Sequence, residues 1–153
     1  MKEDKLGSII VYTDGSCDPN PGPGGWAALI ISGEKEEMIS GSSISSTNNR
    51  MELTAAIEAL RSLKNTSTHP ILLFTDSLYL KKGVMEWMDN WKARNWKRKG
   101  GKLANVDLWK QLSGEIENRP IKWQWVRAHA GTKNNEMVDR KARQMARSVL
   151  KKR

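Results

Sequence analysis

Two Thr-Asp tripeptides, each directly after a short apolar run, contain the residues of this sequence best suited to catalysis or metal binding. They are Thr13-Asp14-Gly15, after residues 9–12, and Thr75-Asp76-Ser77, after residues 71–74. The runs lack polar alternation, which is typical of strands buried on both faces. In an open α/β sheet, ligands bind beyond the carboxyl ends of such strands. Two ionised acids there repel each other unless a cation joins them or they share a proton, so the pair predicts a metal site.

The order of the predicted elements brings the two aspartates together. Strands are predicted at residues 9–12, 26–31 and 38–44, with a reversal through the Pro- and Gly-rich residues 18–25. A helical period over residues 49–64 leads to the strand at 71–74. Strand, helix, parallel strand forms a right-handed unit, which makes the first and fourth strands neighbours.

The second half of the chain continues the α/β pattern. Helices are predicted at residues 77–91, 105–117 and about 135–149, and a fifth strand at 122–126. The resulting order, βββαβααβα, predicts a mixed five-stranded sheet, antiparallel and then parallel, with helices on both faces. A length of 153 residues fits a single domain spanning 1–153.

Two further acids stand where the same cleft could use them. Glu52 lies near the start of the first helix, and Asp139 lies early in the last one. Each has a structural alternative: Glu52 could form a capping box with Asn49, Asp139 could be an ordinary early-helix acid, and Asp76 could cap the helix after it. These alternatives stay open for each acid alone, but four acids together favour a metal site.

Charge is distributed unevenly along the chain, whose formal net charge is +9. Residues 1–80 carry 6 Lys/Arg against 10 Asp/Glu, and residues 81–153 carry 20 against 7. A basic face on a compact domain favours a polyanionic partner over a merely solvated surface. No apolar run is long enough for a signal peptide or a membrane span, and the single cysteine, Cys17, fits a reducing compartment. We therefore expect a cytoplasmic protein without membrane contact.

The motifs resemble, in order, those of the bacterial type I ribonuclease H family, over a core of about residues 8–147. The matching segments are Tyr12-Thr13-Asp14-Gly15-Ser16, Asn20-Pro21-Gly22-Pro23-Gly24-Gly25-Trp26, Thr47-Asn48-Asn49-Arg50-Met51-Glu52-Leu53, Thr75-Asp76-Ser77, His129-Ala130-Gly131 and Asp139.

The resemblance implies an endonuclease that hydrolyses the RNA strand of RNA–DNA hybrids and leaves 5′-phosphate and 3′-hydroxyl ends. Two Mg²⁺ ions, with Mn²⁺ as a substitute, would be held by Asp14, Glu52, Asp76 and Asp139. By the family pattern, Asp14 bridges both ions and Asp139 completes the site that activates water. His129 matches the family histidine of proton transfer or product release, and Glu136 matches an acid near the metal site.

Substrate contacts are implied in the same way. Gly15, Ser16, Cys17 and Asn20 match the RNA side, Asn48 and Asn49 match residues in the groove of the hybrid, and Thr47 matches a residue at a DNA phosphate. Helix capping is the structural alternative for Asn48 and Asn49. Leu78 stands where the family often has glutamine, and the resemblance assigns it no role.

A basic segment with three tryptophans resembles the substrate-binding protrusion of the family. Its residues are Trp87, Trp91, Lys92, Arg94, Trp96, Lys97, Arg98, Lys99 and Lys102. Six cations within eleven residues repel one another and favour a phosphate partner. Core packing is at least as good an interpretation of Trp87 and Trp91.

Two other functions remain open: a catalytically silent hybrid-binding module, and a DNA-cutting nuclease of the same fold. The four intact acids argue against the first, and the Gly/Asn motifs argue against the second. We expect a monomer. The sequence leaves open whether a single-stranded-DNA-binding protein is a partner.

Overall fold

Five strands form one mixed sheet in the computed structural model, which describes residues 8–63, 69–97, 103–126 and 133–151. The strands are β1 (Ile9–Cys17), β2 (Gly22–Ser32), β3 (Lys35–Ser46), β4 (Ile71–Thr75) and β5 (Ile121–Trp125). Their spatial order is β3-β2-β1-β4-β5. The pairs β1–β2 and β2–β3 are antiparallel, and β1–β4 and β4–β5 are parallel. The predicted fold class and the neighbouring positions of the first and fourth strands are therefore confirmed.

The helical segments occupy both faces of this sheet. They are α1 (Asn48–Ser62), α2 (Leu78–Lys82), a π-helical turn (Gly83–Trp87), α3 (Met88–Ala93), α4 (Val106–Ile116) and α5 (Lys133–Lys151). The helix predicted over 77–91 is thus a chain of three short segments. The last helix begins two residues earlier than predicted, which places Asp139 in its second turn.

Alternate residues of β2 face two different cores, as the two-residue period of a strand requires. Ala28 and Ile30 join the larger cluster, together with buried residues of β1, β4, α1 and α4. Ala27 and Leu29 join a smaller cluster that α5 completes. The sheet therefore lies between α1 and α4 on one face and α5 on the other.

The first two strands are longer than the sequence pattern indicates. Residues 22–25, assigned to a reversal, belong to β2 and pair with β1 and β3; β3 likewise extends beyond the predicted 38–44. Glycine is needed in β2 because helix α5 packs closely on this strand. A Cβ on Gly25 would clash with the carbonyl oxygen of Ala142 and lie 2.5 Å from the backbone nitrogen of Ala146. Here glycine marks a close approach of α5 to the sheet, not a turn.

Candidate active site

Asp14 lies at the point where β1 and β4 separate. The parallel pairing of these strands ends at Tyr12 and Phe74. The pairing of β1 with β2 continues, with Asp14 opposite Ala27. Asp14 is therefore inside a strand rather than in a loop beyond it, and its side chain is only 5% exposed. The gap between the two strands is the crevice in which ligands of such sheets bind.

Asp76 follows β4 on the other side of the same gap. The capping alternative for it is wrong, because Ser77 is the N-cap of α2 and its Oγ accepts a hydrogen bond from the Leu80 N–H at 3.0 Å. The backbone carbonyl of Asp76 accepts a hydrogen bond from the indole Nε1–H of Trp125 at 3.3 Å. The neighbouring strand β5 thus holds the main chain at the position of this acid.

Glu52 reaches the gap from α1. Thr47 is the N-cap of this helix, and its Oγ1 accepts a hydrogen bond from the Arg50 N–H at 3.1 Å. The capping box of Asn49 with Glu52 is therefore wrong, since the helix begins earlier and Glu52 lies in its second turn. Its carboxylate is directed to β1 instead of back to the helix end.

The three carboxylates form one cluster. One oxygen each of Asp14, Glu52 and Asp76 lies within 4.8 Å of the others. Oε1 of Glu52 is buried and has no hydrogen-bond partner among the described residues. Burying a carboxylate oxygen without a partner costs free energy. Carboxylate oxygens are the ligands that a hard divalent cation prefers. These residues fit a metal such as Mg²⁺.

Electrostatics within the cluster point the same way. Burial, followed by repulsion from Asp76 and contacts with Asp139, raises the pKa of Asp14 from 3.8 to about 8. Burial and the charges of Asp14 and Asp76 also raise the pKa of Glu52 well above its usual value. Without a cation the cluster therefore retains protons near neutral pH, and metal binding would release them.

Asp139 lies beside this cluster but outside the group of three. It lines the same cavity of about 400 Å³, and its carboxylate is one of the groups that raise the pKa of Asp14. Its Oδ1 lies 3.3 Å from Nε of Arg143, one turn further along α5. The structure therefore places all four predicted acids at one cavity and pairs the fourth with an arginine.

Several residues predicted to contact the substrate, on the RNA side or in the groove, line the same cavity. Gly15, Ser16, Cys17 and Asn48 line it. Oδ1 of Asn48 accepts a hydrogen bond from the Cys17 N–H at 2.6 Å, and Oδ1 of Asn20 accepts one from the Asn48 N–H at 3.0 Å. Asn49 is exposed at the start of α1. Their contacts with a substrate stay predictions, as does that of Thr47.

Two tryptophans of the basic segment, Trp87 and Trp91, form an aromatic group with Trp109 of α4. Trp91 lies 5.7 Å from Trp87 and 5.2 Å from the fully buried Trp109, measured between ring centroids. Trp91 and Trp96 both pack against the larger core. Packing is thus their evident role, and substrate contact stays a prediction. Lys92 and Lys97 are exposed, whereas the predictions for Arg98, Lys99 and His129 lie outside the described residues.

Sequence reasoning missed some residues at the site. Arg143 and Arg147 line the cavity with the carboxylates. A helical signal was available, since they lie four and eight residues after Asp139 and so near the same face of α5. Trp125 was predicted only to lie in the fifth strand, and no sequence signal connects it with Asp76. Leu78, next to the cluster, is 50% exposed.

Fold and site together define an α/β protein with a carboxylate site for divalent metal where two parallel strands separate. The family model for RNase H matches residues 7–147. The ribonuclease H of Hahella chejuensis is 49% identical over 133 residues, which are 86% of this chain and 88% of that protein. The ribonuclease H of Xanthomonas campestris pv. campestris is 49% identical over 140 residues, 91% of this chain and 92% of that one.

Solved structures agree with this comparison. LC9-RNase H1, a type 1 RNase H with the type 2 active-site motif, superimposes with a TM-score of 0.85 at 32% identity, over 94% of this chain and 74% of that chain. LC11-RNase H1, solved in complex with an RNA/DNA hybrid, has a TM-score of 0.72 at 19% identity, over 93% of this chain and 99% of that one, and shows the fold alone. The chain belongs to the ribonuclease H family and is an endoribonuclease of that family. None of the helices in the described part of the chain has the length and apolarity needed to cross a membrane.

Proposed function

We propose that this protein hydrolyses the RNA strand of RNA–DNA hybrids by a two-metal-ion mechanism, leaving 5′-phosphate and 3′-hydroxyl ends. The observation that carries the proposal is the cluster of Asp14, Glu52 and Asp76, whose oxygens lie within 4.8 Å of one another at the end of the β1–β4 pairing. Family membership supplies the reaction class. The basic second half of the chain fits a polyanionic substrate.

The four acids would hold the metal in this proposal. Asp76, Asp139 and Glu52 all influence the pKa of Asp14. The three clustered acids and Asp139 would hold Mg²⁺, which prefers carboxylate oxygens and keeps several waters for exchange with a phosphate. When bound, the metal supplies a water of lowered pKa and neutralises charge that develops on the scissile phosphate.

Other residues of this chain would select and release the substrate. Asn20 and Asn48, already joined by a hydrogen bond of 3.0 Å, offer amide donors and acceptors to the 2′-hydroxyls and base edges of a hybrid. The cations of residues 92–102 would bind phosphates of the uncut strand. His129 would take part in proton transfer or product release. The hybrid seen with LC11-RNase H1 supports this choice of substrate by analogy of fold.

The setting of the enzyme is proposed on less direct grounds. Cys17 is a free thiol, which fits a reducing compartment such as the cytoplasm. We propose a single-domain monomer that uses Mg²⁺, with Mn²⁺ as a substitute. A partner that binds single-stranded DNA remains a hypothesis.

The test is cleavage of an end-labelled RNA–DNA hybrid in Mg²⁺, with EDTA and with the all-DNA duplex as parallel reactions. We expect cutting of the RNA strand only, and only with metal. Asp14→Asn should lower the rate by roughly a thousandfold, since metal ions stabilise the transition state by several kcal/mol. Tight hybrid binding without cleavage would favour a silent binding module. Equal cutting of both duplexes would favour a DNA-cutting nuclease.

A further inference from the structure

A row of arginines on α5 continues from the carboxylate cluster along the surface. Arg140, Arg143 and Arg147 are spaced by three and four residues, so they share one face of the helix. Arg143 and Arg147 line the cavity of the carboxylates. All three line an adjoining cavity of about 360 Å³, together with Glu136 and Asp139. The two cavities share Asp139, Arg143 and Arg147, and so form one groove.

Only one of these arginines has a carboxylate partner in the described part of the chain. Arg143 lies 3.3 Å from Asp139, and its side chain is still 48% exposed. Within the described residues, no ion pair joins Arg140 or Arg147 to an acid, and both are exposed at the mouth of the groove. Three neighbouring guanidinium groups therefore line a cavity with two acids, Glu136 and Asp139, and in the described part of the chain only Asp139 pairs with one of these arginines.

This arrangement matches phosphate in charge and in geometry. Guanidinium presents a planar fork of donors that binds phosphate oxygens bidentately. A helix rises about 1.5 Å per residue, so Arg143 and Arg147 lie about 6 Å and 12 Å beyond Asp139 along the axis of α5. A phosphate at the carboxylate cluster would therefore have its neighbours in the same strand within reach of these side chains.

We infer that Arg140, Arg143 and Arg147 form a binding face for the phosphates of the RNA strand that adjoin the scissile one. The inference rests on the proposed function, because it takes the scissile phosphate to lie at the carboxylates. These three arginines are distinct in sequence from the cations of residues 92–102. Arg143 also has a second task. Its ion pair keeps the carboxylate of Asp139 beside the cluster until a phosphate replaces Asp139 as the partner of the guanidinium.

The first experiment measures how kcat/KM for hybrid cleavage depends on salt. Each phosphate contact that is lost should reduce the slope of log kcat/KM against log salt by about one. Arg147→Gln and Arg140→Gln should each show this reduction and a threefold to tenfold lower kcat/KM at low salt. Arg61→Gln, which removes another exposed arginine, on α1, is the control and should leave the slope within half a unit of wild type. Thermal unfolding of each variant tests for loss of folding.

The second experiment identifies the strand. Hybrids with one neutral methylphosphonate linkage, moved step by step along the RNA or the DNA strand, report which phosphate each arginine contacts. In the wild type, a neutral RNA linkage next to the cut should weaken cleavage, and in Arg147→Gln the same linkage should have little further effect. Coupling to DNA-strand linkages alone would overturn the inference.

The outcomes separate the two levels of the proposal. If the unmodified protein cleaves no hybrid, the proposed function fails and this inference fails with it. If it cleaves hybrids but both arginine variants keep the wild-type salt slope, the function stands and the arginine face is wrong.

Discussion

The backbone of α1 lies so close to Gly15 that no side-chain carbon fits between them. A Cβ on Gly15 would clash with the backbone nitrogen of Glu52 and would lie 2.7 Å from Cβ of Met51. This close approach brings the carboxylate of Glu52 next to Asp14 on β1. Gly15, predicted as a substrate contact, thus has a structural task that is independent of any substrate.

Replacing Gly15 by alanine should therefore damage folding and metal binding together. We expect the free energy of unfolding to fall by about 1–3 kcal/mol, as for other overpacked sites. We also expect that a higher Mg²⁺ concentration is needed for half-maximal stabilisation by the metal, because α1 must move away from Asp14. Urea unfolding with and without Mg²⁺ measures both effects. Gly114→Ala in α4 is the control: the added Cβ would point into open space beside the helix, and stability should rise by up to about 1 kcal/mol. Equal behaviour of the two variants would contradict the close approach.

The metal-free protein should lose stability as pH rises from about 4 to 8. The pKa of Asp14 is about 8 in the folded protein, against the ordinary aspartate value of 3.8 that applies to the unfolded chain. Between these pH values the folded state therefore holds more protons than the unfolded state. The stabilisation is fully present below the lower pKa, and roughly 2–5 kcal/mol is lost by pH 8. Unfolding in EDTA across this range measures it.

Asp14→Asn is the companion variant for this measurement. The amide removes the charge that repels Asp76 and Glu52, so stability in EDTA should vary less with pH and should exceed that of the wild type at pH 8. Saturating Mg²⁺ should stabilise the wild type most at high pH, where it competes with the fewest protons. A wild-type profile that is flat in EDTA would refute the protonated cluster.

Removing the indole N–H of Trp125 should weaken metal binding without unfolding the protein. This group, on a side chain that is 41% exposed, donates to the backbone carbonyl of Asp76. In Trp125→Phe, we expect the Mg²⁺ concentration for half-maximal cleavage to rise about tenfold. This is at the lower end of the effects seen when a residue that orients a metal ligand is replaced. Lys81→Met keeps the indole but removes the ammonium that lies 5.1 Å from its ring centroid. It should leave the midpoint unchanged, whereas a shift in both variants would implicate the ring.

Arg119, which does not line the carboxylate cavity, should be important for stability. It is almost fully buried, and its Nη1 and Nη2 donate to the carbonyl oxygens of Leu60 and Leu63 at 2.9 and 2.8 Å. Arg119→Met leaves these carbonyls at the end of α1 without this donor, and we expect a loss of about 2–4 kcal/mol in urea unfolding. Arg61→Met removes the other, exposed partner of Glu115 and should cost less than about 1 kcal/mol.

Much of the fold could be predicted because hydrophobic periodicity is a local property. The apolar runs of β1 and β4 and the helical period of α1 gave the parallel unit that juxtaposes Asp14 and Asp76. The helix starts were less accurate, because Thr47, Asn48 and Asn49 are all good capping residues and only the packed helix selects Thr47. The glycines of β2 were assigned to a turn because their reason, the close packing of α5, is not local.

The sequence by itself determined the family and the common edge of the sheet for Asp14 and Asp76, and it predicted Glu52 and Asp139 for the same cleft, since residue types, their spacing and strand order are written in the chain. Only the tertiary structure decided that three carboxylates converge while Asp139 pairs with Arg143. It also decided that Glu52 is aligned by the contact of α1 with Gly15, and that Trp125 holds the backbone of Asp76. These relationships depend on distances between elements that are remote in sequence, and such distances are set by packing.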